Sequence, residues 1–401
     1  PTIYHFAHIG NLRTYLFEDI LRRTIEYAGF HVRHVMNLTD VDDKIIRNAT
    51  EARETIFDFV KPYEKDFFED LEKLHIEPAW KYPKATEHIK DMIRIIQKLL
   101  QKKVAYQADG SVYFSIVRFE KYGRLSRVAA RELKSGARAD SDEYTKQDVQ
   151  DFALWKAQKK GEPFWDAPFG KGRPGWHIEC SAMSMKYLGQ TFDIHAGGID
   201  LLFPHHENEI AQSEAATGKP FAHYFVEGEH LLINGEKMSK SLGNVFTLRD
   251  LETKQINPLA FRYVTLTSHY RSKLNFTWES VASAQHSLER LCEFVRELAR
   301  ERQKNKKKKI SLASCRLRFE KAIFNDLDTA KALAVVWDFI HRFHKNPSAY
   351  DQKTVHELLC DFDKVLGLGF AQLKRETIPA EILALAIQRE EYRKNKQWQN
   401  A

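Results

Sequence analysis

The segment PTIYHFAHIGNLRTYLFEDI, residues 1–20, places an apolar stretch (Pro1–Ala7) directly before HIGN (His8–Asn11). A helical apolar pattern follows through Leu12, Leu16 and Ile20 and stops at Gly29. A strand-to-helix junction of this kind is a unit of a parallel α/β sheet. The amino end of its helix offers backbone donors and a positive dipole to a phosphate. A second short signature, KMSKS at Lys237–Ser241, sets two lysines around a small serine-containing loop. Mobile point charges there suit the charge that grows on a phosphoryl group under attack. Alone, each signature is weak: a four-residue match beginning with histidine recurs by chance, and lysines beside serines usually form a solvated loop. Their order and context together point to ATP. The candidate nucleotide contacts are His5, His8, Ile9, Gly10 and Asn11 at the helix entrance and Lys237, Met238, Ser239, Lys240 and Ser241 in the loop. His8, Lys237 and Lys240 are the candidate catalytic groups. His5 fits a capping or packing role at least as well.

A chain of 401 residues exceeds one compact core and predicts two to four domains. Its 43% hydrophobic and 12% aromatic content is enough to bury cores. No apolar run approaches the ~18 residues of a membrane span. The first residues match neither a signal nor a transit peptide, so the expected setting is cytoplasmic and membrane-free. Cys180, Cys292, Cys315 and Cys360 show no paired spacing and read as reduced thiols, three of them core filler. A net charge of +7 makes a polyanionic partner such as RNA plausible, although many basic proteins never touch nucleic acid.

From residue 1 to 104, β-like runs such as His31–Met36 alternate with amphipathic helical stretches such as that through Met92, Ile95, Ile96, Leu99 and Leu100. Residues 105–174 are polar and punctuated by Gly110, Gly123, Gly136, Gly161 and FGKGRPG (Phe169–Gly175), the pattern of an insertion. Strand and helix signals return in FDIHAGGIDLLF (Phe192–Phe203), so the nucleotide fold is split and resumes over 175–225. From about residue 276 to 401, stripes through Ala284, Leu288, Leu291, Val295 and Leu298 and through Ala332, Val335, Val336, Phe339 and Phe343 predict a helix bundle. The lysine run Lys304–Lys309 reads as a solvated loop. No internal repeat is present.

Cys180, in GWHIECSAM, is followed by FPHHENE (Phe203–Glu209), in which Pro204 suits a helix start and His205 and Glu209 stand four apart on one helical face. Thiolate, imidazole and carboxylate together suit zinc with a position left open for an outside ligand. Two readings stand at this point. One is a metal site; the other is a small buried cysteine beside an ordinary helical pair.

Five blocks, HIGN at 8–11, NLTDVDDK at 37–44, GWHIECSAMS at 175–184, HAGGIDLLFPHHENE at 195–209 and KMSKSLGN at 237–244, together resemble the cysteinyl-tRNA synthetases. The likeness extends over essentially the whole chain. It implies a class I Rossmann-type catalytic domain in two halves (1–104 and 175–225), with the connective insertion between them. It further implies a stem-contact domain at 226–275 bearing KMSKS and an all-α anticodon-binding bundle from 276 onward. FNDLDTAKAL (Phe324–Leu333) is similar to a segment of such bundles, and also reads simply as a capped amphipathic helix. The implied partners are Mg2+ with ATP, L-cysteine and tRNA(Cys), with a monomer as the implied assembly. The resemblance also implies one zinc per chain, with a fourth ligand, a cysteine, upstream of Pro1, and a C-terminal portion cut off before a small terminal domain.

Cysteine differs from serine by one atom, and an apolar pocket separates such near-isosteres by only ~1–3 kcal/mol. A borderline-soft metal binds thiolate far better than hydroxyl, so zinc on Cys180, His205 and Glu209 would select the substrate sulfur without editing. By the same likeness Trp176 borders the adenine or substrate pocket, Thr39 lies near the amino acid, and Gly197, Gly198 and Asp200 border the ribose. Trp176 as core, Asp200 as a cap and the glycines as a tight turn are the plainer readings. The rival function is a cysteine ligase of the mycothiol type with an amino-sugar acceptor, against which the long helical half argues.

Overall fold

The computed structural model describes residues 1–127, 133–138, 149–239, 242–300, 310–373, 380–395 and 397–399. Lys240, Ser241 and the lysine run 304–309 lie outside the described residues.

Helix α1 (Ile9–Tyr27) begins at an N-cap supplied by His8 and buries Ile9, Leu12, Leu16 and Ile20, the predicted stripe. It ends at Tyr27, two residues before Gly29, whose φ of 93° only glycine adopts without strain. Next come α2 (Asp43–Ala52), capped by Asp42, α3 (Ile56–Lys73), capped by Thr55, and α4 (Ile89–Gln101), which buries Ile89, Met92, Ile96 and Leu99. Each large aliphatic side chain so removed from water contributes ~1.5–3 kcal/mol.

The β-like runs of this half do not form continuous ladders. Residues 1–3, 35–39 and 81–84 lie side by side and join through isolated parallel bridges: Thr2 to Thr39, Val35 to Lys81 and Leu38 to Lys84. Pro83 accepts from the backbone of Leu38 (2.8 Å) but has no N–H to return, which limits the pairing.

Residues 105–174 hold a sheet of their own, with β1 (Ala105–Ala108), β2 (Ser111–Phe114), β3 (Leu133–Arg138), β4 (Val149–Ala157) and β5 (Gly172–Pro174) in the order β1-β2-β4-β3 and β5 on β4. The parallel fold then resumes with α5 (Trp176–Leu188), β6 (Phe192–Gly198), α6 (Glu207–Thr217) and β7 (Ala222–Gly228), β6 and β7 pairing in parallel from Phe192/Ala222 to Gly198/Gly228. A small sheet follows, built from β8 (Leu231–Ile233) and β9 (Glu236–Lys237). After α7 (Leu248–Thr253) and α8 (Pro258–Leu266), β10 (Leu274–Phe276) completes it, parallel to β8.

The remaining helices are α9 (Trp278–Arg300), α10 (Ala313–Ile323), α11 (Thr329–Lys345), α12 (Gln352–Leu366) and α13 (Ala380–Lys394). The apolar stripes read from the sequence are buried in α9 and α11, and Asp328 caps the latter. A fully buried ion pair links α8 to α1, and the same arginine reaches the bundle. Arg262 of α8 bonds Asp19 of α1 at 2.6 Å and also donates to the carbonyl oxygens of Leu74 and of Leu366, the last residue of α12. Among the described residues no helix is long and apolar enough to cross a membrane.

Candidate active site

A cavity of about 1010 Å³ opens between the start of α1, the segment 30–39, α5 and β6. On the α1 side its wall carries His5, His8 and Asn11. His8 is the N-cap itself: Asn11 donates its backbone N–H to Nδ1 of His8 (3.1 Å), and the side chain of Asn11 accepts the backbone N–H of His8 (3.3 Å). The ring of His5 stacks on Tyr63 with centroids 6.4 Å apart. Of the histidines at the helix entrance, His8 therefore does the capping, the role read as an alternative for His5. Ile9 is buried and points away from the opening, while its backbone N–H donates to Phe246 (2.8 Å). Gly10 packs so closely under His8 that an added Cβ would stand 3.0 Å from the ring, and 3.6 Å from the methyl of Met238.

The HIGN and KMSKS segments are thus neighbours, and an antiparallel bridge pairs His8 with Thr247 just beyond the second. Lys237 ends β9 with its side chain exposed, and the backbone N–H of Ser239 donates to the side chain of Asn244 (2.8 Å). Among the described residues, Lys237, Met238 and Ser239 do not line the cavity, whereas Val245, just beyond, does.

Across the cavity stand Thr39, Trp176, Cys180, Gly197, Gly198, Asp200 and His205. Thr39 is buried, held by a backbone bond to Pro1 (2.9 Å). Trp176 and Cys180 are one turn apart on α5, and the Trp176 ring lies 4.3 Å from that of His205. The glycines are places where the backbone must come close. A Cβ on Gly197 would meet His206 at 2.9 Å, and one on Gly198 would meet the Asp200 carboxylate at 2.5 Å.

The three donors read from the sequence converge. One ligand atom each from Cys180, His205 and Glu209 lies within 4.8 Å of the others, and all three residues are buried. The α6 helix starts at Glu207 and not at Pro204. A helical turn over residues 202–206, broken at Phe203 (φ −141°), precedes it and still carries His205 to 3.7 Å from the Glu209 carboxylate. Burial, then Glu209 and Glu179, push the Cys180 thiol well above its ordinary pKa; burial, then His177 and His206, push His205 well below. Oε1 of Glu209 is buried and has no hydrogen-bond partner among the described residues. A buried carboxylate oxygen left unpaired is costly. A divalent cation at this point would satisfy it, favour thiolate at Cys180 and accept the neutral imidazole. The donor set therefore fits zinc.

Further groups that the sequence did not single out as ligands pack around these donors. His195 places Nε2 2.9 Å from Oε2 of Glu209, and His206 places Nδ1 2.7 Å from Glu227. His195, His206 and Glu209 also bring one ligand atom each within 4.8 Å. Burial lowers the pKa of His195, but the charge and hydrogen bond of Glu209 outweigh it and leave it raised. Burial, then His195, holds His206 down to about 3, and burial lifts Glu227 to about 8. His195 lies inside a block that the sequence already singled out, so its signal was present; Glu227 carried none.

Comparison with known proteins identifies the family. The family described as tRNA synthetases class I (C) catalytic domain matches residues 1–286. The cysteine–tRNA ligase of Protochlamydia amoebophila is 46% identical over 411 residues, covering 99% of this chain and 86% of that protein. That of Chlamydia felis is 45% identical over 414 residues, covering 100% and 87%. Among solved structures, the Mycobacterium tuberculosis methionyl-tRNA synthetase in complex with methionyl-adenylate superposes with a TM-score of 0.64 at 14% identity, covering 92% of this chain and 87% of that one. The Agrobacterium radiobacter LeuRS in its ternary complex with tRNA and LeuAMS superposes at 0.66 with 10% identity, covering 93% and 83%. At such identities the structural likeness speaks for the fold alone.

Proposed function

Because the chain belongs to the class I cysteine–tRNA ligases, we propose that its cavity seats cysteine and Mg2+-bound ATP side by side, joins them as cysteinyl-adenylate and passes the cysteinyl group to the 3′ end of tRNA(Cys). The observation that carries this reading is the convergence of Cys180, His205 and Glu209 beside the cavity that His8, Gly197 and Asp200 also line.

In the first step a carboxylate oxygen of cysteine attacks the α-phosphorus of ATP, a P–O bond forms, and the bond to pyrophosphate breaks. Positioning and charge stabilisation supply the rate. In a neutral His8 ring, Nδ1 accepts from Asn11, so the ring proton sits on Nε2 and makes that atom a donor for a phosphate oxygen. The positive dipole end of α1 adds to this donor. Lys237 supplies charge for the leaving pyrophosphate, and Lys240 is assigned the same role. Gly197 and Gly198 let the backbone of β6 approach the nucleotide, and Asp200 offers acceptors to ribose hydroxyls. Trp176 and Thr39 bound the amino-acid side.

Zinc held by Cys180, His205 and Glu209 supplies, when bound, a soft Lewis acid that prefers thiolate to hydroxyl. His195, bonded to Glu209, holds that carboxylate in place, as outer partners of metal ligands do. The helical part from residue 276 onward, α9 to α13, is assigned to tRNA, and the protein is expected to act as a monomer.

The deciding experiment is cysteine-dependent exchange of pyrophosphate into ATP, followed by charging of tRNA(Cys). Exchange with cysteine but not serine, together with charged tRNA, is expected. Exchange without charged tRNA would favour transfer to an amino-sugar acceptor, and no exchange would reject the reading.

A further inference from the structure

We propose that Arg13 is the positioning residue that sets the KMSKS-bearing hairpin against the HIGN helix, so that Lys237 meets phosphate in register with His8. The inference rests on the reading of Lys237 given above.

Arg13 lies on the second turn of α1, is only 5% exposed and faces away from the cavity wall. Its guanidinium makes no ion pair with an acidic side chain among the described residues; instead it is spent on three backbone carbonyls. Nη1 donates to Glu229 at 2.7 Å and to His230, and Nη2 donates to Ser272. Glu229 and His230 immediately precede β8, and Ser272 stands two residues before β10. These strands run parallel, Leu231 beside Leu274, so one cation ties together the same end of both. β8 then turns through Asn234 and Gly235 into β9, whose last residue is Lys237. The path from Arg13 to Lys237 is thus a single short hairpin.

The far side of the loop returns to the same helix, where Phe246 accepts from Ile9 and Thr247 bridges His8. The helix start therefore holds the loop at both roots. The Ile9 and His8 contacts are made by backbone and survive most substitutions; the Arg13 contacts depend on one side chain.

The chemistry of the cluster argues for arginine in particular. Three carbonyls approached from two directions need a planar fork of donors, whereas an ammonium offers one compact point. Burial pulls the Arg13 pKa down to about 10, so the charge persists at neutral pH. A core staple would need only to be stable. A staple joining two phosphate-handling elements also fixes a distance to which electrostatic catalysis is sensitive at the scale of ~1 Å.

The test uses the full chain loaded with zinc and carrying Arg13→Lys, which keeps the charge and the aliphatic stem; Arg13→Gln is the second variant. Two readouts are taken: cysteine-dependent pyrophosphate exchange, and amide hydrogen exchange over residues 229–237. Arg13→Lys should fold, retain its zinc, keep KM for cysteine within about twofold and lose ~10–100-fold in kcat. Amides at 229–237 should exchange faster, with those at 176–182 unchanged. Parent-like kcat in folded Arg13→Lys would overturn the proposal, as would a fall in kcat matched by zinc loss and a raised KM for cysteine. If Arg13→Lys does not fold, Arg13→Gln is judged by the same two readouts. Should the parent itself show no exchange, the functional reading is what fails; the amide measurement still decides whether Arg13 holds the hairpin.

Discussion

The ring of His8 accepts the backbone N–H of Asn11 through Nδ1 at 3.1 Å, so one histidine both caps α1 and faces the cavity. The two roles separate under His8→Asn. Asparagine is among the best N-caps, so the variant should keep its stability within ~1 kcal/mol of the parent. Without the Nε2 donor its pyrophosphate exchange should fall by ~10²-fold or more. Thermal unfolding and single-turnover activation measured on the same sample decide the matter. A stable and fully active variant would show that His8 only caps.

Cys180→Ser keeps the volume of the side chain and exchanges a thiolate for a hydroxyl. Losing even an outer partner of a metal ligand costs ~10–100-fold in metal affinity, so losing a ligand should empty the site on dialysis. The affinity for cysteine should then drop by at least ~10-fold while ATP binding stays within about threefold, and chelation of the parent should do the same. Zinc content and separate titrations of cysteine and ATP check this. Parallel loss of both ligands would mean general misfolding.

Much of this site was readable because its residues sit in short blocks whose local geometry is self-contained. Leu12, Leu16 and Ile20 repeat at helical spacing behind a capping histidine, and burial follows. His205 and Glu209 share a face even though α6 starts later than Pro204 suggested. What failed to show depends on partners distant in sequence. Residues 1–7 and 31–36 look like strands, yet the first joins its neighbour through a bridge at Thr2 and Thr39, and the second runs into a segment where Pro83 lacks a donor. Glu227 is one acidic residue in a strand until His206 is folded against it. Arg13 and Arg262 resemble solvent-facing charges, but their carbonyl partners lie up to 259 and 188 residues away, and no local pattern announces a buried guanidinium.

Gly197→Ala tests whether the close approach of β6 matters to the nucleotide and not merely to packing. The added methyl would stand 2.9 Å from the His206 ring and 3.1 Å from Leu201, too near for either to remain in place. Moving His206 disturbs its bond to Glu227 but removes none of Cys180, His205 and Glu209. The variant should retain zinc and lose at least ~10-fold in exchange rate, since small misplacements are expensive in such sites. Unchanged exchange with a soluble, zinc-loaded variant would remove Gly197 from the nucleotide site.

Asp70 of α3, which does not line the cavity, gives a separate pH signature. Burial, then the neighbouring charge of Asp66, raises its pKa from 3.8 to about 7, with Lys73 pulling the other way. A carboxyl whose pKa is higher when folded binds more protons in the native state between those two values, so stability falls as pH rises through that window and levels off above about 7. Asp70→Asn removes the titration. Its stability relative to the parent should therefore increase between about pH 5 and pH 8, by no more than ~2–3 kcal/mol and by less wherever solvent screens the site. Denaturant unfolding of both proteins at the two pH values measures the change. A difference that stays flat, or that narrows toward alkaline pH, would show that the native environment does not favour the protonated form of Asp70.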